Sequence, residues 1–286
     1  MNEPNNNTHY NSEESTGYTF TPEGIAVPIQ PAAPVTEVQA ERFRGIMARV
    51  FVWMFSGLLV SGISGVLLAV TPIGTILWTN PVSIVVLVIA QLVTALVFSR
   101  MVAKVKPEVA TVLFFLYSLL TGVTIAALLL TYELSSVISA LFATAVVFGG
   151  MALWGAKTRR DLSAIGAAGR MLLLGAIVMS LVNLLLFFVA PGVFTVLDAV
   201  LNYVVLAIFI GLTAYDMQKI RRLAMEPGLV EAMDPAARAD LIVDEQSAAA
   251  LALRADRTIA IHGALMLYLD FINIFIRILR IFGRER

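Results

Sequence analysis

The stretch "IHGALMLYLDFINIFIRILRIFG", Ile261 to Gly283, carries His262, Asp270, Asn273, Arg277 and Arg280 at helical spacing. These residues form one polar stripe on an otherwise apolar cylinder. A second apolar run ends in "GLTAYDMQKI", and there Asp198, Asn202 and Asp216 lie on nearly one face, with Thr213 close by. Ionisable groups inside a membrane cost a few kcal/mol each unless a partner or a water-filled cavity compensates them. Two such tracks facing each other suggest a hydrated path, and the helix with the denser stripe belongs in the middle of a bundle. Spacing alone leaves alternatives open. Asp216 could be an interfacial charge balancing Lys219 and Arg222, and Asp270 could be ion-paired with Arg277 or Arg100. His262 fits a snorkelling residue near the inner start of its helix, and Arg100 fits a positive anchor. The chain contains no cysteine, which excludes disulfides, thiolate metal sites and thiol nucleophiles.

Composition identifies what must position these groups. Hydrophobic residues make up 59% of the 286-residue chain and charged residues 14%, with a mean hydropathy of +0.86. Soluble domains average about 45–50% apolar and about 25% charged, so the expected class is an all-α polytopic membrane protein. The formal net charge is zero, from 20 Lys+Arg against 20 Asp+Glu. No basic footprint for nucleic acid is present.

Apolar stretches of about twenty residues, each long enough to cross a hydrocarbon layer of about 30 Å, recur at Val50–Val70, Pro81–Ser99, Val109–Leu130, Leu134–Gly155, Met171–Ala190, Phe194–Tyr215 and Thr258–Phe282. They predict one bundle of seven transmembrane helices with the last at its centre, over residues 42–286. Residues 1–41 are rich in Asn, Pro, Ser and Glu and lack Lys and Arg; they read as a disordered cytosolic tail without the basic start and apolar centre of a signal peptide. Met217–Arg257 reads as a polar connection, with a short surface helix capped by Asp234 and opened by Pro235. The glycines of "SGLLVSGISG" and "VVFGGMALWGA" read as close-packing positions.

Cations cluster before the first stretch (Arg42, Arg44, Arg49) and after the second (Arg100, Lys104, Lys106), fourth (Lys157, Arg159, Arg160, Arg170) and sixth (Lys219, Arg221, Arg222). The alternate connections "TPIGTILWTN", "TYE" and "PGV" contain none, which predicts a cytosolic amino terminus. Seven crossings then put the carboxyl terminus outside, although Arg277, Arg280, Arg284 and Arg286 oppose that trend.

"GLTAYDMQKI" and "ALMLYLDFINIFIRILRIFG" together resemble the paired signatures of the Bax-inhibitor family of membrane proteins, in its bacterial branch. "VFVWMFSGLLVSG", "YSLLTGVTIAALL" and "GAKTRRDLS" agree, and the resemblance runs from about Arg42 to Gly283. It implies a seven-helix bundle in a bacterial inner membrane acting as a pH-sensitive calcium leak. It also implies that Asp216 and Asp270 form a hydrogen-bonded pH sensor, with Arg100 in the same cluster. Two carboxylates in low dielectric cannot both ionise cheaply, so such a pair shares a proton. Loss of that proton would part the helices and leave a hard oxygen site for Ca²⁺ at Asp216 and Asp270. One departure is that "VLVIAQLVTALVFSR" offers only Gln91 where some members carry a glutamate, so a cation step assigned to that glutamate does not transfer.

The expected partners are the lipid bilayer and calcium ions, with a membrane-bound protease as a candidate and no nucleic acid. The expected state is a monomer without cofactor or enzymatic activity. The competing reading is a non-transporting regulator of a membrane-bound protease or of a stress or cell-death response. An intramembrane aspartyl protease would need Gly-x-Gly-Asp where this chain has "LYLD", and a retinal protein would need a lysine in the last helix.

Overall fold

The computed structural model describes residues 18–20, 26–28, 37–80, 107–189, 191–225 and 245–286, together with 82–83, 86–87, 89–91 and 93–94. The chain divides into two units, Met1–Glu41 and Arg42–Arg286. In the first, β1 (Tyr18–Phe20) pairs antiparallel with β2 (Ala26–Pro28), Thr19 facing Val27.

The helices are α1 (Glu37–Ala69), α2 (Pro72–Thr79), α3 (Pro107–Thr131), α4 (Leu134–Lys157), α5 (Ser163–Val189), α6 (Pro191–Met225) and α7 (Glu245–Phe282). Prolines open α2, α3 and α6, where a missing N–H costs nothing because the first helical turn has no internal acceptor for it. Six helices among the described residues are long and apolar enough to cross a membrane: Ala40–Ala69, Glu108–Thr131, Leu134–Lys157, Ser163–Asn183, Thr195–Met225 and Ala255–Phe282. The chain is therefore a multi-pass membrane protein. The expected span Pro81–Ser99 lies largely outside the described residues, and its described ones are helical. The expected start of the surface helix, Asp234 and Pro235, lies outside them, whereas Glu245–Arg254 of the same stretch opens α7.

Several boundaries differ from the sequence reading. Helix α1 starts at Glu37 rather than Val50, α5 at Ser163 rather than Met171, and α7 at Glu245 rather than Thr258. Helix α6 continues past Tyr215 to Met225. Hydropathy marks where lipid begins, whereas strong helix formers such as Ala248–Ala250 carry the backbone helix further into the polar zone. The polar connection Met217–Arg257 is correspondingly shortened, because both of its flanks are helical.

Among the six described spans, α7 is the most enclosed. Of its most apolar window 67% is buried, against 17–39% in the other five. One buried cluster gathers Ile46, Val50, Phe114, Ile220, Ala264 and Tyr268, and another gathers Phe209, Leu212, Ile274, Phe275 and Leu279. The Tyr268 ring packs edge-on against Phe114, with centroids 5.6 Å apart. In the same way Phe148 of α4 meets Phe271 at 5.5 Å.

The outward faces of the spans are apolar, as lipid contact requires. Phe55, Val66, Phe142, Leu153, Met171 and Leu174 are all exposed. Small residues carry close approach at some positions only. A Cβ on Gly155 would collide with the Ala214 carbonyl of α6, and one on Gly166 would stand 2.5 Å from the Tyr215 ring. Gly62, Gly149 and Gly150 meet no neighbouring atom among the described residues, so the packing role expected of both glycine-rich runs belongs to part of each.

Candidate functional site: the seam between α6 and α7

Helices α6 and α7 lie antiparallel, and the two polar stripes face each other along their seam. At one end the Arg277 guanidinium donates to Asn202 Oδ1 at 3.2 Å, and the Asn202 amide donates to the Arg277 carbonyl at 3.3 Å. One turn further along α7, Arg280 stands 3.7 Å from Asp198. Toward the other end, Thr213 stands within hydrogen-bonding reach of the Asp270 carboxyl while donating its hydroxyl to the Phe209 carbonyl at 2.8 Å. Such back-bonding frees a helix position for a polar side chain without exposing its hydroxyl to lipid.

Asp270 is 2% exposed, and its Oδ2 has no hydrogen-bond partner among the described residues. Asp216, half-buried on the facing helix, is close enough to act on Asp270 electrostatically. Lys219 and Arg170 in turn act on Asp216. Arg170 comes from α5, where it donates to the Tyr215 hydroxyl at 3.1 Å and lies over that ring at 5.4 Å. The described ion pairs are Arg42–Asp256, Arg222–Asp161 and Arg280–Asp198. The alternative reading of Asp270 as the partner of Arg277 is thus replaced: Arg277 is held by Asn202. Arg100, expected in the same cluster, lies outside the described residues.

His262, read as snorkelling near the inner start of its helix, lies two turns into the span Ala255–Phe282, with Nδ1 buried and lacking a partner among the described residues. Helix α6 runs past Asp216 to Met225, and Lys219 acts on the Asp216 carboxyl, so the balancing role read for Asp216 stands beside its approach to Asp270.

The residues after Asp216 organise the connection between α4 and α5. Gln218 accepts the Leu162 N–H at 3.0 Å and donates to the Arg160 carbonyl at 2.8 Å. Arg221 donates to the Ala156 carbonyl at 2.7 Å, compensating an open acceptor in the last turn of α4. Arg222 reaches both Gln218 and Asp161, the latter at 2.6 Å. Asp161 also accepts from the Ser163 hydroxyl at 2.7 Å and its N–H at 3.0 Å, satisfying a free donor at the start of α5. The Ser163 hydroxyl, then Arg222, hold the Asp161 carboxyl down at about 2.

At the opposite end the carboxyl-terminal residues close on the α3–α4 turn. Glu133 N–H donates to the Arg284 carbonyl and Arg286 N–H to the Thr131 carbonyl, both at 3.0 Å, and Arg284 N–H reaches the Ser136 hydroxyl at 3.0 Å. Burial pushes the Tyr132 phenol in this turn up, against the opposing pull of Arg280.

A buried hydroxyl group was not foreseen from the sequence. Tyr268 Oη and Ser61 Oγ are 2.6 Å apart, and Ser61 is also 2.8 Å from the Ser118 carbonyl. On the flank of α3, Gln91 donates to Thr124 at 2.9 Å and to the Leu120 carbonyl at 3.1 Å. Single hydroxyls among apolar residues carry no spacing signal, so only the packed helices reveal the group.

Chemically the seam pairs a buried acid with a second acid at one end and a neutral amide with a guanidinium at the other. Among the described residues no three His, Asp or Glu side chains gather as a metal-binding group.

A family model described as "Inhibitor of apoptosis-promoting Bax1" matches residues 43–286. The inner membrane protein YbhL of Escherichia coli K12 is 37% identical over 241 residues, covering 84% of this chain and 92% of that relative. An uncharacterized protein of Deinococcus radiodurans is 34% identical over 259 residues, covering 90% and 98%. Another, from Borreliella burgdorferi, is 32% identical over 241 residues, covering 84% and 92%. With the model spanning the six apolar helices and the seam, the chain belongs to the Bax inhibitor family.

Proposed function

We propose that this protein is a pH-sensitive calcium leak of the bacterial inner membrane, gated by a proton shared between Asp216 and Asp270. The observation that carries the reading is the Asp270 carboxyl, buried on α7 with one oxygen unpartnered among the described residues and in electrostatic contact with Asp216 across the seam. An acid there is inexpensive only while protonated or shared. Its ionisation beside a second carboxylate drives α6 and α7 apart and leaves oxygen ligands suited to a hard cation. In this reading Arg100 compensates the charge left behind, calcium is the permeant ion, and neither a cofactor nor an enzymatic step is involved.

The reading takes the chain as a monomeric bundle of seven helices around α7, with the amino terminus cytosolic and the carboxyl terminus external. The distribution of cations supports that orientation. The meeting of residues 284–286 with the α3–α4 turn supports a common side for both. The inner-membrane assignment of the Escherichia coli relative supports the compartment.

Calcium flux into liposomes containing only this protein tests the proposal. Flux should rise with pH. Asp216→Asn and Asp270→Asn should each flatten that response, with the double variant no flatter than either. A double variant that kept the parent's pH response would overturn the carboxylate gate. The family's description as an inhibitor of apoptosis-promoting Bax1 favours a second reading, a non-transporting regulator of a membrane-bound protease or of a stress or cell-death response; absence of flux at every pH would select it.

A further inference from the structure

We infer that Arg277 sets the charge selectivity of the α6–α7 seam, as a fixed positive barrier that a cation must pass at the end opposite the two aspartates. The inference deepens the leak reading and rests on it. Asp270 and Arg277 are seven residues apart on one helix, so they lie on one face about 10 Å apart along the axis. The α7 stripe that would line an opening seam therefore carries a carboxylate at one end and cations at the other, while α6 sets Asp216 near the first and Asn202 and Asp198 near the second.

The way Arg277 is held gives the inference its content. Its partner across the seam is Asn202, which is 5% exposed and bonds it in both directions, at 3.2 and 3.3 Å. The amide fixes the guanidinium in place without cancelling its charge. Arg277 is in none of the described ion pairs, and its Nε is buried with no partner among the described residues. Asp198 stands 3.7 Å from Arg280 and also acts on Arg277, so two arginines and one carboxylate leave one net positive charge at this end. If anchoring were the whole purpose, a carboxylate at position 202 would serve as well; a neutral anchor leaves the positive field in the seam. Low-dielectric walls concentrate such a field. Coulomb energy is linear in the charge of the passing ion, so a divalent cation meets twice the barrier of a monovalent one.

The experiment compares Ca²⁺ and K⁺ flux in liposomes, at the pH of greatest parent flux, for the full chain and for Arg277→Gln, Arg277→Lys and Asn202→Asp. Removing the charge with Arg277→Gln should raise both fluxes, with the logarithm of the Ca²⁺ increase about twice that of K⁺; a threefold gain for K⁺ would accompany about a ninefold gain for Ca²⁺. Arg277→Lys keeps the charge and should stay near the parent. Asn202→Asp neutralises the field without removing the arginine, and should reproduce the charge-weighted gain even if Arg277→Gln fails to fold. Equal gains for the two ions, or a gain in Arg277→Lys, would show loosened packing and overturn the barrier. Unchanged flux in Arg277→Gln and Asn202→Asp, beside a parent that leaks with the expected pH response, overturns the barrier alone. Absence of flux in every protein overturns the leak reading and the barrier together.

Discussion

Replacing Gln218 with leucine keeps the volume of a side chain that is 7% exposed and removes both of its bonds to the α4–α5 connection. Leu162 is 3% exposed, so its N–H loses the Gln218 acceptor in a place water reaches poorly. An orphaned buried donor costs about 1–3 kcal/mol, and the lost bond to the Arg160 carbonyl adds about 0.5–1.5 kcal/mol. Local opening of this connection should become easier by about 2–4 kcal/mol, on the order of 30- to 700-fold in the exchange rate of its amides. Hydrogen exchange followed by mass spectrometry on a peptide covering residues 158–166, in detergent, reads this directly. Gln218→Glu should fall between parent and leucine, since it retains an acceptor for Leu162 and a contact for Arg222 but cannot donate to Arg160. Exchange in the leucine variant within about twofold of the parent would refute the idea that Gln218 holds the connection.

Tyr268→Phe removes a hydroxyl but leaves Ser61 bonded to backbone carbonyls; a loss of about 1 kcal/mol should lower the melting temperature by about 2–4 °C, and a fall beyond about 10 °C would contradict that accounting. The Asp161 carboxyl is held below its ordinary value of 3.8, so its contacts stand fully formed above that value and are lost as pH falls through about 2. Ser163 amide protection should therefore survive acidification from about pH 7 to about pH 4, and Asp161→Asn should abolish any acid-dependent loss below it. A cysteine placed at Arg286 in this cysteine-free chain should react with a membrane-impermeant thiol reagent in intact cells, and protection there would reverse the assignment of the carboxyl terminus.

The spans were legible because hydropathy reports contact with lipid, and the stripe on α7 because charges in an apolar run stand out at helical spacing. Helix ends were less legible. Nothing in hydropathy distinguishes a helix that stops at the interface from one that continues, as α6 does through Gln218 and Arg222. Pairing was legible only as two tracks. That Arg277 meets Asn202 while Asp198 meets Arg280 depends on the axial register of α6 against α7, which the buried cluster shared by Leu212, Ile274 and Phe275 helps set. Arg170 was read as an orienting cation, and only the approach of α5 to Tyr215 brings it to Asp216.

The contact of Gly166 with Tyr215, together with that of Gly169 with Leu212, has a mechanical meaning. Two helices that interlock at successive turns through missing side chains cannot slide or roll independently, so α5 and α6 behave as one plank. Any swing of α6 away from α7 must carry α5 with it. Through Gln218 and Arg222 it must also carry the short connection at the end of α4. In the proposed gate, a shift of α6 beside the buried carboxyl would thereby reach residues 158–162, where the polypeptide meets water.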